Sequence, residues 1–113
     1  MISYESWQPR TADANLLQRC RQAIHAVVPD ADVILYGSRA RGDAAEDSDY
    51  DILVLVDQSA DMAMHERLIS SVSPLQDDGA VLTLTVYNRD LWNSRLYKAM
   101  PFHENIDREG VLL

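Results

Sequence analysis

Two apolar runs on either side of a polar loop constrain this chain more than any other feature. Both lie within residues 33–56: the first stops at Gly37 and Ser38, and the second begins directly after Asp49 and Asp51. Their length and β-branched composition predict two strands, and the nearly continuous apolar character of the first predicts a buried, central position. The loop between them therefore starts with a glycine and ends with paired carboxylates.

The paired carboxylates have a spacing that suits a magnesium site. Successive side chains of a strand point to opposite faces, so Asp49 and Asp51 share a face and lie about 6.5 Å apart along it. Magnesium takes oxygen ligands and is usually held by one or two carboxylates together with substrate phosphates. Gly37 lets the backbone approach a ligand closely, and a helix that starts at Ser38 would direct free N–H groups at an anion. Phosphates and metal would then meet between the two strands.

The spacing of these residues resembles the signature of a known superfamily. A Gly-Ser pair, ten intervening residues and Asp-x-Asp form a composite that resembles the signature of the DNA polymerase β-like nucleotidyltransferases. The small size is similar to the minimal nucleotidyltransferase (MNT) branch, and the tail at residues 101–112 is similar to the ends of such proteins. The resemblance covers residues 33–112, and its specific part is residues 37–51.

The resemblance implies a fold, an activity and a partner. The expected fold is a small α/β (α+β) nucleotidyltransferase domain, with helices packed against a mixed β-sheet. The expected reaction moves AMP from ATP, with Mg²⁺, onto a hydroxyl group of a partner protein. Proteins of the MNT branch commonly act as antitoxins that modify, and so silence, a helical HEPN-domain ribonuclease toxin encoded beside them. The implied catalytic residues and metal ligands are Asp49 and Asp51, and Gly37 and Ser38 belong to the nucleotide site.

Two arginines and a serine in the loop complete the predicted nucleotide site. Arg39 and Arg41 are two residues apart and point in different directions on a helix. We expect Arg39 to bind the phosphates and Arg41 to form a structural ion pair with Asp47 or Glu46, although both arginines are candidates for nucleotide binding. Ser48 either binds a phosphate or caps the turn, and the sequence does not decide between these roles.

The remaining chain predicts one domain that spans residues 1–113. Periodicity and turn residues predict a loose lead-in at residues 1–10, helices at residues 11–28, 38–42, 59–73 and 88–100, strands at residues 32–36, 49–56 and 80–87, and a tail at residues 101–113. The helix that starts at Asn88 is expected to end at Pro101, and residues 109–113 of the tail are expected to add a short terminal strand or to dock on a partner. A chain of 113 residues has room for one sheet with helices on it.

Composition restricts the compartment and the partners. Cys20 has no second cysteine to pair with, there is no apolar segment long enough to span a membrane, and the first residues do not resemble a secretion signal, so a cytoplasmic protein is expected. The net charge is −8 and Lys98 is the single lysine, which counts against direct binding to long nucleic acid. The same charge suits a basic protein partner. The sequence leaves open whether the chain forms homo- or hetero-oligomers.

One position departs from the superfamily pattern. These enzymes generally place a third carboxylate on a neighbouring strand, where it completes the metal site and acts as a base. The corresponding strand here has Thr83 and Thr85, and Asp77 and Asp78 lie in the turn before it. Two alternatives to protein AMPylation therefore stand. One is a catalytically impaired nucleotide-binding module that neutralises its partner by contact. The other is a small-molecule nucleotidyltransferase of the antibiotic-modifying kind, for which a chain this short leaves little surface unless a homodimer supplies it.

Overall fold

The structure, a computed structural model, describes residues 1–8, 11–76 and 79–113. The strands in these ranges are β1 (Ile2–Ser3), β2 (Asp32–Tyr36), β3 (Tyr50–Val56), β4 (Leu82–Asn88) and β5 (Val111–Leu112). The helices are α1 (Thr11–Val27), α2 (Ser38–Arg41), α3 (Met62–Val72), α4 (Arg89–Trp92), α5 (Arg95–Lys98) and α6 (Pro101–Glu109), with 3-10 turns at Tyr4–Ser6 and Ser73–Gln76.

The strands form one mixed sheet in the order β1-β5-β2-β3-β4. β2 runs antiparallel to β3, whereas β3 and β4 are parallel and are joined by the crossover helix α3. β2 and β3 are therefore the central strands, and their middle residues are buried. This arrangement confirms the predicted fold class and the central position of the first strand.

The alternation of side chains along β3 separates two cores and determines where the site lies. Tyr50, Ile52 and the alternate residues beyond them pack against α1 and α3, in a cluster with Leu17 and Leu68. Leu53 and Leu55 belong to a second cluster with Trp92 and Ile106 of α4 and α6. Asp51 has the parity of Leu53, so its carboxylate lies on the α4–α6 face, at the end of β3 that those helices leave partly open.

Both ends of the chain are more regular than the sequence predicts. Ile2–Ser3 falls in the expected loose lead-in, yet it pairs in parallel with Val111–Leu112. Trp7 is half-buried, and its Nε1–H donates to the carbonyl oxygen of Ala40 at 3.1 Å. The tail supplies the terminal strand that was one of the two predicted alternatives, and this strand also pairs with β2.

The single helix predicted at residues 88–100 is two shorter helices, and a third helix begins at Pro101 in the predicted tail. Asn88 caps α4 as expected, since its side chain accepts a hydrogen bond from the Leu91 N–H at 3.1 Å. Ser94 then caps α5 through its side chain, and Pro101 occupies the first turn of α6 instead of ending a helix. Proline suits that place because the first helical N–H has no partner in the helix.

Residues outside the site behave as core or surface residues. Cys20 is buried in α1, and burial raises the pKa of its thiol to about 12, which keeps the thiol protonated and unreactive at neutral pH. None of the helices in the described ranges is long and apolar enough to cross a membrane.

Candidate active site

Gly37 and Asp51 are in direct contact where β2 ends and β3 begins. The antiparallel register places Tyr36 opposite Asp51, so the residue after Tyr36 lies beside the aspartate. Gly37 has φ +77°, and a Cβ built on it would lie 2.5 Å from Oδ2 of Asp51. Glycine is needed here for two reasons, because the backbone is in the left-handed region and because a methyl group would displace the carboxylate. The predicted phosphate turn is thus packed on the predicted metal ligand.

The two carboxylates of the motif influence each other. The pKa of Asp51 is raised, mainly by burial and further by the negative charge of Asp49, while Arg41 acts in the opposite direction. Asp49 is exposed and directly precedes β3. A divalent cation would relieve the repulsion between these carboxylates, and Mg²⁺ needs no more than two of them when substrate phosphates complete its shell. The donor set therefore fits Mg²⁺, although the described part of the chain contains no cluster of three or more such residues.

Arg39 holds the loop between the strands. Its guanidinium donates to the carbonyl oxygens of Glu46 and Ser48 at 2.8 to 3.2 Å. The same group lies 4.3 Å from the centre of the Tyr50 ring and 3.8 Å from the carboxylate of Asp13, to which the Tyr50 hydroxyl also donates. The side chain is 9% exposed. These contacts favour a structural role for Arg39 over the phosphate-binding role that the sequence predicts for it.

Replacing Arg39 by lysine is expected to lower the free energy of unfolding by about 1 to 3 kcal/mol, because an ammonium group cannot reproduce a planar fork of donors aimed at two carbonyl oxygens. Arg41→Lys is the matched control, since that side chain is 46% exposed and its solvent-screened ion pairs should contribute little to stability. Urea denaturation of both variants measures the difference. Equal losses in the two variants would contradict the assigned role of Arg39.

Arg41 pairs with partners that the sequence did not indicate. Its guanidinium contacts Asp43 at 3.1 Å and Glu109 at 3.2 Å, so the predicted pairing with Asp47 or Glu46 is wrong. Glu109 also accepts a hydrogen bond from the Gly37 N–H at 3.3 Å. Spacing could not reveal Glu109, which is distant in sequence and reaches the turn because α6 ends beside β2. Arg41 is also the arginine that influences the pKa of Asp51, so it is the better placed of the two for a phosphate group near that carboxylate.

Comparison with known proteins identifies the family. The model of the nucleotidyltransferase domain family matches residues 16–105, which is more than half of the chain. The chain belongs to this family. It is 36% identical over 81 residues to a Methanocaldococcus jannaschii protein named "Putative protein adenylyltransferase MJ0604", a match that covers 72% of this chain and 75% of that protein. These findings confirm the predicted resemblance to the minimal nucleotidyltransferases.

A solved structure shares the fold of this nucleotidyltransferase. It is described as the crystal structure of a toxin-antitoxin with AMP-PNP, and one of its chains superposes with a TM-score of 0.61. The sequence identity is 18%, and the match covers 84% of this chain and 69% of the other. The two chains have the same type of fold, in agreement with the mixed sheet described above.

The position of the missing third carboxylate is occupied by threonine in this nucleotidyltransferase. The parallel register of β3 and β4 pairs Asp51 with Thr83, and both side chains lie on the same face of the sheet. Thr85 lies 3.4 Å from the Tyr36 hydroxyl, further along that face. β4 therefore presents hydroxyl groups and no acid to the site. Asp77 and Asp78, the alternatives from the turn, lie outside the described residues.

A hollow of about 370 Å³ lies beside α2, and Trp7 and Arg39 are among the residues that line it. Its lining also includes Asp13 and Arg41 but neither carboxylate of the Asp-x-Asp motif. Ser48 lies outside its lining and has its carbonyl oxygen turned toward Arg39. The hollow therefore lies beside the candidate site at Gly37, Asp49 and Asp51 and does not include these residues.

Proposed function

We propose that this chain is an adenylyltransferase that moves AMP from Mg²⁺-ATP onto a hydroxyl group of a partner protein. The observation that carries the proposal is the contact between Gly37 and Asp51, with Asp49 beside it. It joins a turn suited to phosphates with a pair of carboxylates suited to a metal ion. The name of the M. jannaschii relative, which is that of a protein adenylyltransferase, supports a protein acceptor.

In the proposed reaction, the acceptor oxygen forms a bond to the α-phosphorus of ATP. The bond between that phosphorus and the α–β bridging oxygen breaks, pyrophosphate leaves, and the acceptor hydroxyl gives its proton to solvent water. Mg²⁺, when bound, would offset the negative charge of the phosphates. Asp49 and Asp51 would hold the metal, Gly37 and Ser38 would lie against the phosphates, and Arg41 would exchange Asp43 for a phosphate oxygen. Positioning and charge neutralisation account for most of the catalysis in such a site.

We further propose that the partner is a HEPN-type toxin and that this chain is its cytoplasmic antitoxin. The solved structure of similar fold is described as a toxin-antitoxin with a bound ATP analogue, which supports both a nucleotide and a toxin partner. The net charge of −8 suits a basic partner, as a ribonuclease would be. A single buried cysteine agrees with a reducing compartment.

One observation favours a second candidate function. Thr83 stands opposite Asp51, where a carboxylate would act as the base toward the acceptor hydroxyl. A threonine hydroxyl cannot take up that proton at neutral pH. The chain would then bind a nucleotide and neutralise its partner by contact alone.

Intact-mass spectrometry distinguishes the two candidates. The purified protein is incubated with ATP and Mg²⁺, with and without the protein encoded by the neighbouring reading frame. An AMP-sized increment on that protein, absent when Mg²⁺ is omitted, is the expected result. A stable complex that gains no mass would instead support the contact-only antitoxin and contradict the transferase.

A further inference from the structure

The outer edge of β4 is open over most of its length in the described part of the chain. β4 pairs with β3 on one side, and in the part of the chain that the structure describes no strand pairs with its other side. Its seven residues, Leu82–Asn88, include no proline and no charged side chain. Edge strands are normally protected by lysine, proline, bulges or a covering segment, because their free N–H and C=O groups can pair with another chain.

The register shows which backbone groups are free to pair. The Tyr50 N–H donates to the Val81 carbonyl oxygen at 2.8 Å, so odd-numbered residues of this segment direct their backbone groups toward β3. Even-numbered residues direct theirs outward. The outward N–H of Leu82 already donates to the side-chain oxygen of Gln76 at 3.0 Å. The open part of the edge is therefore at Leu84 and Val86.

The open edge is adjacent to the candidate active site. Asp51 and Thr83 are directly opposite in the β3–β4 register, and Thr83 is exposed. A strand added beyond β4 would place one residue opposite Thr83, on the same face as Asp51. That residue would lie about 10 Å from Asp51, because neighbouring strands are about 4.8 Å apart. Its side chain could extend over the small Thr83 toward the nucleotide. A residue held at this edge could therefore carry the hydroxyl group that accepts AMP.

The other end of the edge leads to an apolar surface. A hollow of about 610 Å³ is lined by Val86, Tyr87, Leu91 and Tyr97 together with Asn88 and residues 59–61, which precede α3. Leu91 is 46% exposed, and Leu96, five residues later and outside this lining, is 74% exposed. An extended segment that leaves the edge at Val86 could bury apolar side chains here, which would add affinity to the backbone hydrogen bonds.

We propose that an extended, basic segment of the partner protein pairs with the outer edge of β4 and presents its acceptor hydroxyl group opposite Thr83. The hydroxyl part of this inference rests on the proposed adenylyltransferase function. A basic segment fits because Asp49 is exposed at one end of the edge and Asp61 and Asp90 are exposed at the other. A second copy of this chain fits poorly, since pairing of two β4 edges would bring these acidic ends together in a dimer of two chains that each carry −8.

Amide hydrogen exchange measured by NMR tests the docking directly. In the complex with the protein encoded by the neighbouring reading frame, exchange at Leu84 and Val86 should slow about tenfold or more. Exchange at Thr83 and Thr85 should change much less, because their N–H groups already face β3. A complex that leaves the Leu84 and Val86 amides unprotected, or no complex at all, would overturn the proposal. Protection in the free protein that grows with its concentration would also overturn it, in favour of a second copy.

A proline variant provides an independent measurement. Val86→Pro removes an outward N–H and blocks the edge, yet it takes no hydrogen bond from the β3–β4 ladder. Val86→Ala is the matched control, since it shortens the side chain and keeps the N–H. Val86→Pro should weaken partner binding about tenfold or more relative to Val86→Ala, with melting temperatures used to confirm that both variants fold. Equal affinities would overturn the proposal.

The outcomes for docking and for catalysis are separable. If the wild type transfers AMP to the partner while Leu84 and Val86 stay unprotected, the adenylyltransferase function stands and the docking edge is wrong. If both amides are protected and no AMP is transferred, the docking edge stands and the transferase is wrong.

Discussion

Replacing Asp51 by asparagine should lower AMP transfer by at least about 10³-fold, with no loss of thermal stability. The carboxylate is the half-buried member of the Asp-x-Asp pair, whereas Asp49 is exposed, and it contacts the glycine of the phosphate turn. Without its charge, one of two metal ligands becomes a neutral amide, and the phosphate charge of the transition state is poorly offset. Transfer is measured by intact mass or with radiolabelled ATP, and stability by thermal unfolding.

The stability half of this prediction follows from the sign of the pKa shift. The folded-state pKa of Asp51 is raised, first by burial and then by Asp49, so the folded chain binds this proton more tightly than the unfolded chain does. An ionised Asp51 therefore destabilises the fold at pH values above its folded-state pKa, and the penalty disappears as the pH falls below the unfolded value. The asparagine variant lacks the penalty at neutral pH, and its melting temperature should equal or exceed that of the wild type.

Asp47→Asn is the matched control for Asp51→Asn. Asp47 is an exposed carboxylate of the same loop, and its substitution makes the same change in net charge. Transfer by this variant should stay within about twofold of the wild type, because a surface charge outside the metal site changes little. Retained transfer in Asp51→Asn, or a comparable loss in Asp47→Asn, would contradict the assignment of Asp51 as a metal ligand.

The sequence predicts the centre of the site because its geometry is encoded locally. Gly37 and Asp51 lie at the two ends of the connection between β2 and β3. Because these consecutive strands pair with each other, the two residues are brought side by side. Parity then places Asp49 and Asp51 on one face, and the same alternation correctly puts Thr83 across from them once β3 and β4 are paired. Residues whose positions follow from strand period and loop length are those that sequence reasoning can find.

The roles of the arginines depend on residues that are remote in sequence. Arg39 is engaged by Asp13 and by the carbonyl oxygens of its own loop, and Arg41 by Glu109. No period connects α2 with the start of α1 or with the end of α6, so the sequence could not determine which arginine would be buried. The helix starts at Ser94 and Pro101, in contrast, depend on local sequence. Both residues are recognisable start signals, but a prediction from apolar periodicity alone overlooks them.

Alanine at Gly37 should abolish AMP transfer, whereas alanine at Gly42 should leave most of it. Both glycines have positive φ, but Gly42 is in the αL region (φ +84°, ψ 12°), whereas Gly37 (φ +77°, ψ −157°) is in a region that is almost restricted to glycine. Backbone strain alone should therefore cost about 1 to 2 kcal/mol of folding free energy for alanine at Gly42 and at least as much, up to about 3 kcal/mol, at Gly37. The two glycines also differ in what the new methyl group meets. At Gly37 it would lie 2.5 Å from Oδ2 of Asp51, while at Gly42 nothing lies within 4 Å. Gly42→Ala is therefore a control for strain, and Gly37→Ala adds displacement of the carboxylate.

A double-mutant cycle can isolate that displacement. Urea denaturation should show that Gly37→Ala destabilises the chain by about 1 to 3 kcal/mol more than Gly42→Ala does, which is the usual cost of an overpacked contact. In an Asp51→Ala background the excess should shrink, because the atom that the methyl group meets is gone and only the difference in backbone strain between the two glycines remains. If the excess is undiminished without the Asp51 carboxylate, or if Gly42→Ala loses transfer as fully as Gly37→Ala, then Gly37 does not act by keeping space for that carboxylate.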